Sequence, residues 1–420
     1  MLPLLVSLTL CTSPPVVLKA ARMFDGRSDA VVKPGLVVVE GERITGVGAA
    51  AKIPPNAEVI DLGDVTLLPG LIDAHTHLSW QSSDNWNQDE LDNFKKPPTQ
   101  VAIEATVYAR RTLLAGFTTV RDLGSQDMVD VGLRNAINAG KVPGPRMLIA
   151  VQGLCTLGGH CDPTGGYRTG LMKEPDPTQG VISGADQGRA AVRWVVKYGA
   201  DVVKVHATGG VLSLSDTLSS VPFTQEELDA IVDEAHAQGK KAAAHAHSAA
   251  GAKRAIKAHI DSIEHGTMLD EEALAMMKAR GTVLVYTPTL CLEERLVKGG
   301  APKNVLAKER QVTATEDAVF KRALALGVPV AFGSDAAVCP HGEQVLQFAK
   351  MASLGMKPAA VLRSATLDAA KLLGLDDRLG TLEAGKLADV VAVPKDPLAD
   401  VHALEHVGFV MKAGVIEKRP

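Results

Sequence analysis

The sequence predicts an α/β protein: a closed (β/α)₈ TIM barrel with a small β-sandwich built from both chain ends. Three observations carry that expectation. Between about residues 67 and 384, apolar strand-like runs alternate with Ala-rich helical stretches, the pattern of a parallel sheet covered by helices. Eight such runs can be counted, the number a closed barrel needs. At both ends the pattern changes to short Val-rich runs, as in Gly35-Leu36-Val37-Val38-Val39 and Ala388-Asp389-Val390-Val391-Ala392-Val393, which reads as small β architecture. A doubly wound open sheet is the competing architecture, but no Gly-rich dinucleotide loop follows the early strands.

In chain order, the apolar stretch Leu4 to Leu10 followed by Cys11-Thr12-Ser13-Pro14-Pro15 resembles the core and tail of a secretion signal, without the basic residue that normally precedes it. Residues 1–15 are therefore read as the remnant of a signal peptide, and a periplasmic or secreted location is favoured over a cytoplasmic one. Residues 16–66 and 385–420 are assigned to the sandwich and residues 67–384 to the barrel. The barrel strands are expected at Thr66 to His77, Phe117 to Leu123, Arg146 to Gln152, Ala200 to His206, Lys241 to His247, Ser262 to His265, Thr282 to Thr287 and Val328 to Ser334. Helices such as Gln225 to Gln238 and Ala249 to Ala258 fill the gaps.

Composition narrows the function. Hydrophobic residues make up 46% and charged ones 22%, a typical soluble balance, so disorder and collagen-like repeats are excluded. A formal charge of -4 and the lack of a long Lys/Arg run argue against nucleic acid, leaving a small molecule as the partner. No run of about 18 apolar residues predicts a membrane span. The five cysteines show no paired metal-type spacing; Cys155 and Cys161 are placed equally as a pair or as free thiols.

The expected strand ends concentrate chemistry. His75 and His77, two residues apart on a strand, project to one side, and neutral imidazoles so placed suit a divalent metal. Lys204 and His206 end strand four, His245 and His247 end strand five, Glu264-His265 ends strand six, and Asp335 follows strand eight. In a barrel these ends form one active-site mouth. Lys204 stands out. An ammonium beside two cations is disfavoured, whereas a neutral amine captures carbon dioxide as a carbamate, whose two oxygens bridge two metals.

Pro69-Gly70-Leu71-Ile72-Asp73-Ala74-His75-Thr76-His77, Ile263-Glu264-His265-Gly266, Gly333-Ser334-Asp335 and the closing Gly380 to Val391 resemble, in order, motifs of the amidohydrolase superfamily, and the resemblance runs from about Val16 to the C-terminus. Lys204 and the loop Leu157-Gly158-Gly159-His160-Cys161-Asp162 resemble its prolidase-like, dipeptide-cleaving carboxypeptidase branch, which also contains enzymes that hydrolyse the phenylalanine amide of ochratoxin. The resemblance implies two divalent ions, zinc foremost. His75, His77 and Asp335 would hold one, His245 and His265 the other, and N6-carboxylated Lys204 both. His245 is preferred to His247 because the family ligand is normally followed by Ala; His247 is then a catalytic, substrate-facing group. Asp335 would take the proton of the attacking water and return it to the leaving amine.

The implied activity is cleavage of the amide to a C-terminal amino acid in dipeptides or N-acyl amino acids, ochratoxin A included, by a homo-oligomer. His160, Tyr167 and Arg168 in the Gly-rich loop after strand three are candidates for the substrate carboxylate, with His206 as a further site-facing group. Trp80 and Trp86 belong to a segment that serves either as an apolar lid or as plain packing. Competing readings are a lactonase or phosphotriesterase with a similar ligand set, an imidazolonepropionase-like cyclic-amide hydrolase, and a non-catalytic barrel. The ring hydrolases place an acid shortly after the strand-five histidine, where this chain has Ala246-His247-Ser248.

Overall fold

A computed structural model describes residues 14–420, so the expected signal remnant, apart from Pro14 and Pro15, lies outside the described residues. Its centre is a set of parallel strands. In chain order these are β1 (Leu71–Thr76), β2 (Phe117–Asp122), β3 (Arg146–Ile149), β4 (Val202–His206), β5 (Lys241–Ser248), β6 (Ser262–Met268), β7 (Val283–Tyr286) and β8 (Val330–Phe332). β1, β2 and β3 pair in that order, and β4 to β8 pair in chain order. Beyond β3, the segment Gly153–Thr156 pairs with β4, and Asp201 N donates to Ile149 O at 2.8 Å, so β3 and β4 are joined through a break in the strand. At the other edge, Asp335 N donates to His75 O at 2.8 Å and His77 N to Ala336 O at 2.9 Å, tying the end of β8 to β1.

These strands read as near-continuous apolar runs because both their faces are covered. Val203, Val205, Ala244, Ala246 and Ile263 lie in the main core with the inward faces of the helices. Small residues on the helix-facing side of β5, Ala242 and Ala244, let those helices approach closely, while Ala243 faces the opposite side with Leu123, Ala150 and Val202. The helices begin where their sequences supply caps. Thr224 and Glu227 form a reciprocal capping box at the start of Gln225–Ala237, and Asp270 caps Glu271–Arg280, which stops at Gly281 in the left-handed region.

The chain ends meet in two further sheets. Val390–Pro394 runs antiparallel to Val65–Pro69 in a five-stranded sheet, and Val16–Ala20 lies between Gly35–Glu40 and Glu58–Asp61 in a four-stranded one. Leu18, Val37 and Ile44 from one sheet pack with Leu67, Val390 and Phe409 from the other. Two differences from expectation follow from pairing. The run Thr66 to His77 is two strands: Val65–Pro69 bonds to the C-terminal strand, while Leu71–Thr76 bonds to β2. The strand expected through Gln152 stops at Ile149, where the chain changes partner from β2 to β4.

Candidate active site

The C-terminal ends of β1, β4, β5 and β6, with the turn after β8, bring His75, His77, Lys204, His206, His245, His247, His265 and Asp335 to one cavity. His75 Nδ1 donates to Glu264 Oε2 at 2.9 Å, and His77 Nδ1 to the Gly124 carbonyl at 3.0 Å. Each ring therefore turns Nε2 inward, and both Nε2 atoms lie 3.4 Å from Asp335 Oδ1. Ligand atoms of these three residues all fall within 4.8 Å of one another, the donor set a divalent ion takes. Fixing the outer nitrogen of a histidine is the usual way to orient a metal ligand. His265 Nδ1 pairs with Thr287 Oγ1 at 2.7 Å and His247 Nδ1 with Thr267 Oγ1 at 2.8 Å. His245 sits between them, its ring centroid 4.5 Å from His265 and 4.7 Å from His247, with Nε2 3.2 Å from the Gly209 carbonyl.

His265 and Asp335 both have positive φ, 70° and 54°. His and Asp tolerate this left-handed region better than most residues, and such conformations cluster at functional sites. Behind His75, Glu264 is buried with Arg121, whose Nη2 lies 2.8 Å from Glu264 Oε1 and whose Nε donates to Ala74 O at 2.6 Å. Burial pushes the Glu264 carboxyl up, but Arg121 and His75 outweigh it and hold it at about 2.

Burial also governs the other ionisable groups. It lowers His77 and His160 to about 4 and His247 to about 3, so these rings are neutral near pH 7, the form that binds a metal. Burial lowers Lys204 to about 8, against the pull of Glu264 and Asp335, so a neutral amine is accessible. Burial raises Asp335, but His75, His265 and His77 hold it well below the usual carboxylate range.

Among the candidates for substrate contact, His160 and His206 line the cavity. Each needs a missing side chain beneath it. A Cβ on Gly210 would lie 2.2 Å from the His160 ring, and one on Gly153 2.3 Å from His206, so these glycines are required for close approach. His160 Nδ1 pairs with Ser213 Oγ at 2.9 Å and its ring stacks on His245 with centroids 4.5 Å apart. Tyr167 and Arg168 do not line the cavity. The Tyr167 hydroxyl donates to Glu90, the ring meets Phe94 edge-on, and Arg168 is exposed, so both are engaged elsewhere than at the cavity.

Sequence reasoning missed the supporting groups Arg121, Gly124, Thr267 and Thr287, the cavity-lining Glu309, and the disulfide Cys291–Cys339. Cys291 and Cys339 are 48 residues apart, with no spacing that suggests a pair; Cys155 and Cys161, left open between pair and free thiols, are bonded. Leu292 and Val338, each next to a cysteine of the longer bridge, join Val211, Leu212 and Val312 as the apolar wall of the cavity. Trp80 stands at its rim, while Trp86 packs beneath that wall.

Comparison with known proteins follows the same lines. A profile of the amidohydrolase family matches residues 66–417. An ochratoxinase of Aspergillus niger is 32% identical over 372 residues, covering 84% of this chain and 76% of that protein. A solved Xaa-Pro dipeptidase with methionine bound in its active site superposes with a TM-score of 0.90 at 40% identity, covering 96% of this chain and 99% of that one. A prolidase structure complexed with N-methylphosphonate-L-proline gives 0.88 at 30% identity, covering 97% and 100%.

Proposed function

Because the chain belongs to the amidohydrolase family and is a hydrolase of C–N bonds, we propose that it cleaves the amide to a C-terminal amino acid in dipeptides and N-acyl amino acids, ochratoxin A among them. The observation that carries this reading is the convergence of His75, His77, Lys204, His245, His265 and Asp335 on one cavity. His75, His77 and Asp335 would hold one divalent ion, His245 and His265 a second, and N6-carboxylated Lys204 both, with zinc the first candidate. Such ions, when bound, polarise a carbonyl and acidify water.

The chain's own groups supply the rest. Asp335 Oδ1, 3.4 Å from two imidazole nitrogens, is placed to accept a proton and hand it to the leaving amine. His247 faces the same space as a second polar contact to the reacting amide. His160, with His206 beside it, is assigned to the substrate carboxylate in place of the outward-turned Tyr167 and Arg168. The apolar wall of Val211, Leu212, Leu292, Val312 and Val338 excludes water and receives the side chains of the substrate.

The parallel strands are read as a closed (β/α)₈ barrel, which the bonds from the end of β8 to β1 support; its first strand begins at Leu71, and the sandwich expected at 16–66 and 385–420 reaches Pro69, because Val65–Pro69 pairs with Val390–Pro394. Two disulfides and the N-terminal apolar stretch favour a periplasmic or secreted location. Exposed Leu91, Phe94, Ile103 and Val107 on two consecutive helices favour a homo-oligomer, which light scattering would check. Among the described residues no helix is long and apolar enough to cross a membrane.

The test is amino-acid release by zinc-loaded protein from dipeptides and N-acyl amino acids, ochratoxin A included, each with a free and an amidated C-terminus. Release from the free acids alone is expected. No release with metal bound would overturn the reading and bring lactones, phosphotriesters and cyclic amides forward.

A further inference from the structure

The helix Lys303–Thr313 turns Val305, Lys308, Glu309 and Val312 inward, and Glu309 and Val312 reach the catalytic cavity. Its two buried charges differ sharply. Lys308 Nζ is fully engaged, donating to Ser213 O at 2.6 Å and lying 3.2 Å from Asp216 Oδ1. Glu309 is 3% exposed, yet its Oε2 has no hydrogen-bond partner. Nor does the surrounding field stabilise a charge there. Burial and then Glu316 and Glu293 push the carboxyl up to about 7, with only Thr313 opposing them.

A carboxyl left like this is costly for folding, since a buried acceptor without a donor forfeits its hydration. Packing alone would be served better by Leu or Met. The free oxygen belongs to a residue that lines the cavity, and the cavity wall beside it, Val211, Leu212, Leu292, Val312 and Val338, offers no competing donor. The histidines and Lys204 that line the cavity with it are metal-binding groups, so Glu309 supplies an acceptor for positive charge apart from Asp335, which is already taken up with His75 and His77. An alkylammonium entering there would meet its partner in apolar surroundings, where a charge-assisted bond is stronger than in water.

Resting on the amide-hydrolase reading above, we propose that Glu309 holds the free α-ammonium of the acyl-side residue, making the protein selective for dipeptides over N-acyl amino acids. The assignment concerns specificity. Glu309 positions one end of the substrate while the histidine cluster acts on the amide.

The test compares Ala-Phe with propionyl-Phe, which differ only in the amine, using the zinc-loaded full-length protein and its Glu309→Gln variant. Two readouts are taken, kcat/KM for phenylalanine release and affinity by calorimetry. Wild type should favour Ala-Phe by about 10- to 100-fold, the value of one charge-assisted bond, and in Glu309→Gln that ratio should collapse toward one. A wild-type preference below about threefold overturns the proposal without any variant, so a misfolded variant cannot shelter it. An undiminished ratio in a folded Glu309→Gln protein overturns it too. If wild type releases no phenylalanine from either compound, the amide-hydrolase reading fails separately, and the calorimetric ratio still decides whether Glu309 binds the amine.

Discussion

Arg121 and Glu264 are 2% and 0% exposed, and their pairing is what aims His75. Removing one charge from a buried pair strands the other, which typically costs about 3–5 kcal/mol. Glu264→Gln is therefore expected to lower unfolding stability in urea by that amount and to reduce bound metal; unchanged stability and metal content would mean that His75 is oriented by other groups. His245→Ala should lose one of two metal equivalents by elemental analysis, whereas His247→Ala should keep both and lose turnover by at least about 100-fold. The reverse pattern would exchange their roles. At this scale the sequence was legible where chemistry is local. His75 and His77 are two positions apart on one strand, and Lys204 is an ionisable residue flanked by Val203 and Val205. The groups behind them were not legible, because Arg121 reaches Glu264 across 143 positions and Gly124 offers only a backbone carbonyl. Glu309 was hidden for another reason: inside Lys303–Thr313, with Lys308, Arg310 and Glu309 consecutive or nearly so, it looks like any solvent-facing charge.

The loops after β7 and β8 are held together by Cys291–Cys339, whose sequence separation is 48 residues. Chain-entropy reasoning gives such a crosslink about 4 kcal/mol and the six-residue Cys155–Cys161 link about 2 kcal/mol. Replacing Cys291 and Cys339 by serine should cost more stability than replacing Cys155 and Cys161, as read from urea midpoints; equal costs would count against this ordering. A second element-scale prediction concerns the helix Glu316–Leu326. Burial, then Asp317, raises Glu316 to about 7 against the pull of Lys350. A carboxyl whose folded value exceeds its ordinary 4.5 contributes most while neutral, so its contribution is present below pH 4.5 and is lost as pH rises to about 7. Glu316→Gln removes that titration. Its stability should fall less than wild type's between pH 4.5 and 7.5, by up to about 3 kcal/mol. Elements themselves were largely legible, since Thr224 with Glu227 and Asp270 with Gly281 mark helix limits directly. The division of Thr66 to His77 was not, because an apolar run carries no sign of which sheet claims each half.

For the whole molecule, the site and the seam between β8 and β1 are one structure. His75 accepts the Asp335 amide through its carbonyl while its ring faces the Asp335 carboxylate. Metal bound there should stabilise the complete fold, by about 4 kcal/mol at a free concentration a thousand times Kd. Chelation should lower the thermal midpoint as well as abolish turnover; an unchanged midpoint would show that the seam holds without metal. The alternation of strands and helices and the joint β architecture of the two chain ends were legible in the sequence, whereas the register of that pairing, Val390 opposite Pro69 and Ala392 opposite Leu67, is set by the folded chain alone. That pairing sets a timetable for biosynthesis. Val65–Pro69 leaves the ribosome early, and its partner Val390–Pro394 leaves near the end. At about 5–20 residues per second the interval is on the order of tens of seconds. Throughout it Leu67 has only the short strand Arg22–Met23 beside it, and Leu68, equally covered in the finished fold, lacks its cross-strand partner Val391. The four-stranded sheet, drawn wholly from residues 16–61, can close early, whereas the five-stranded one is completed only as translation finishes.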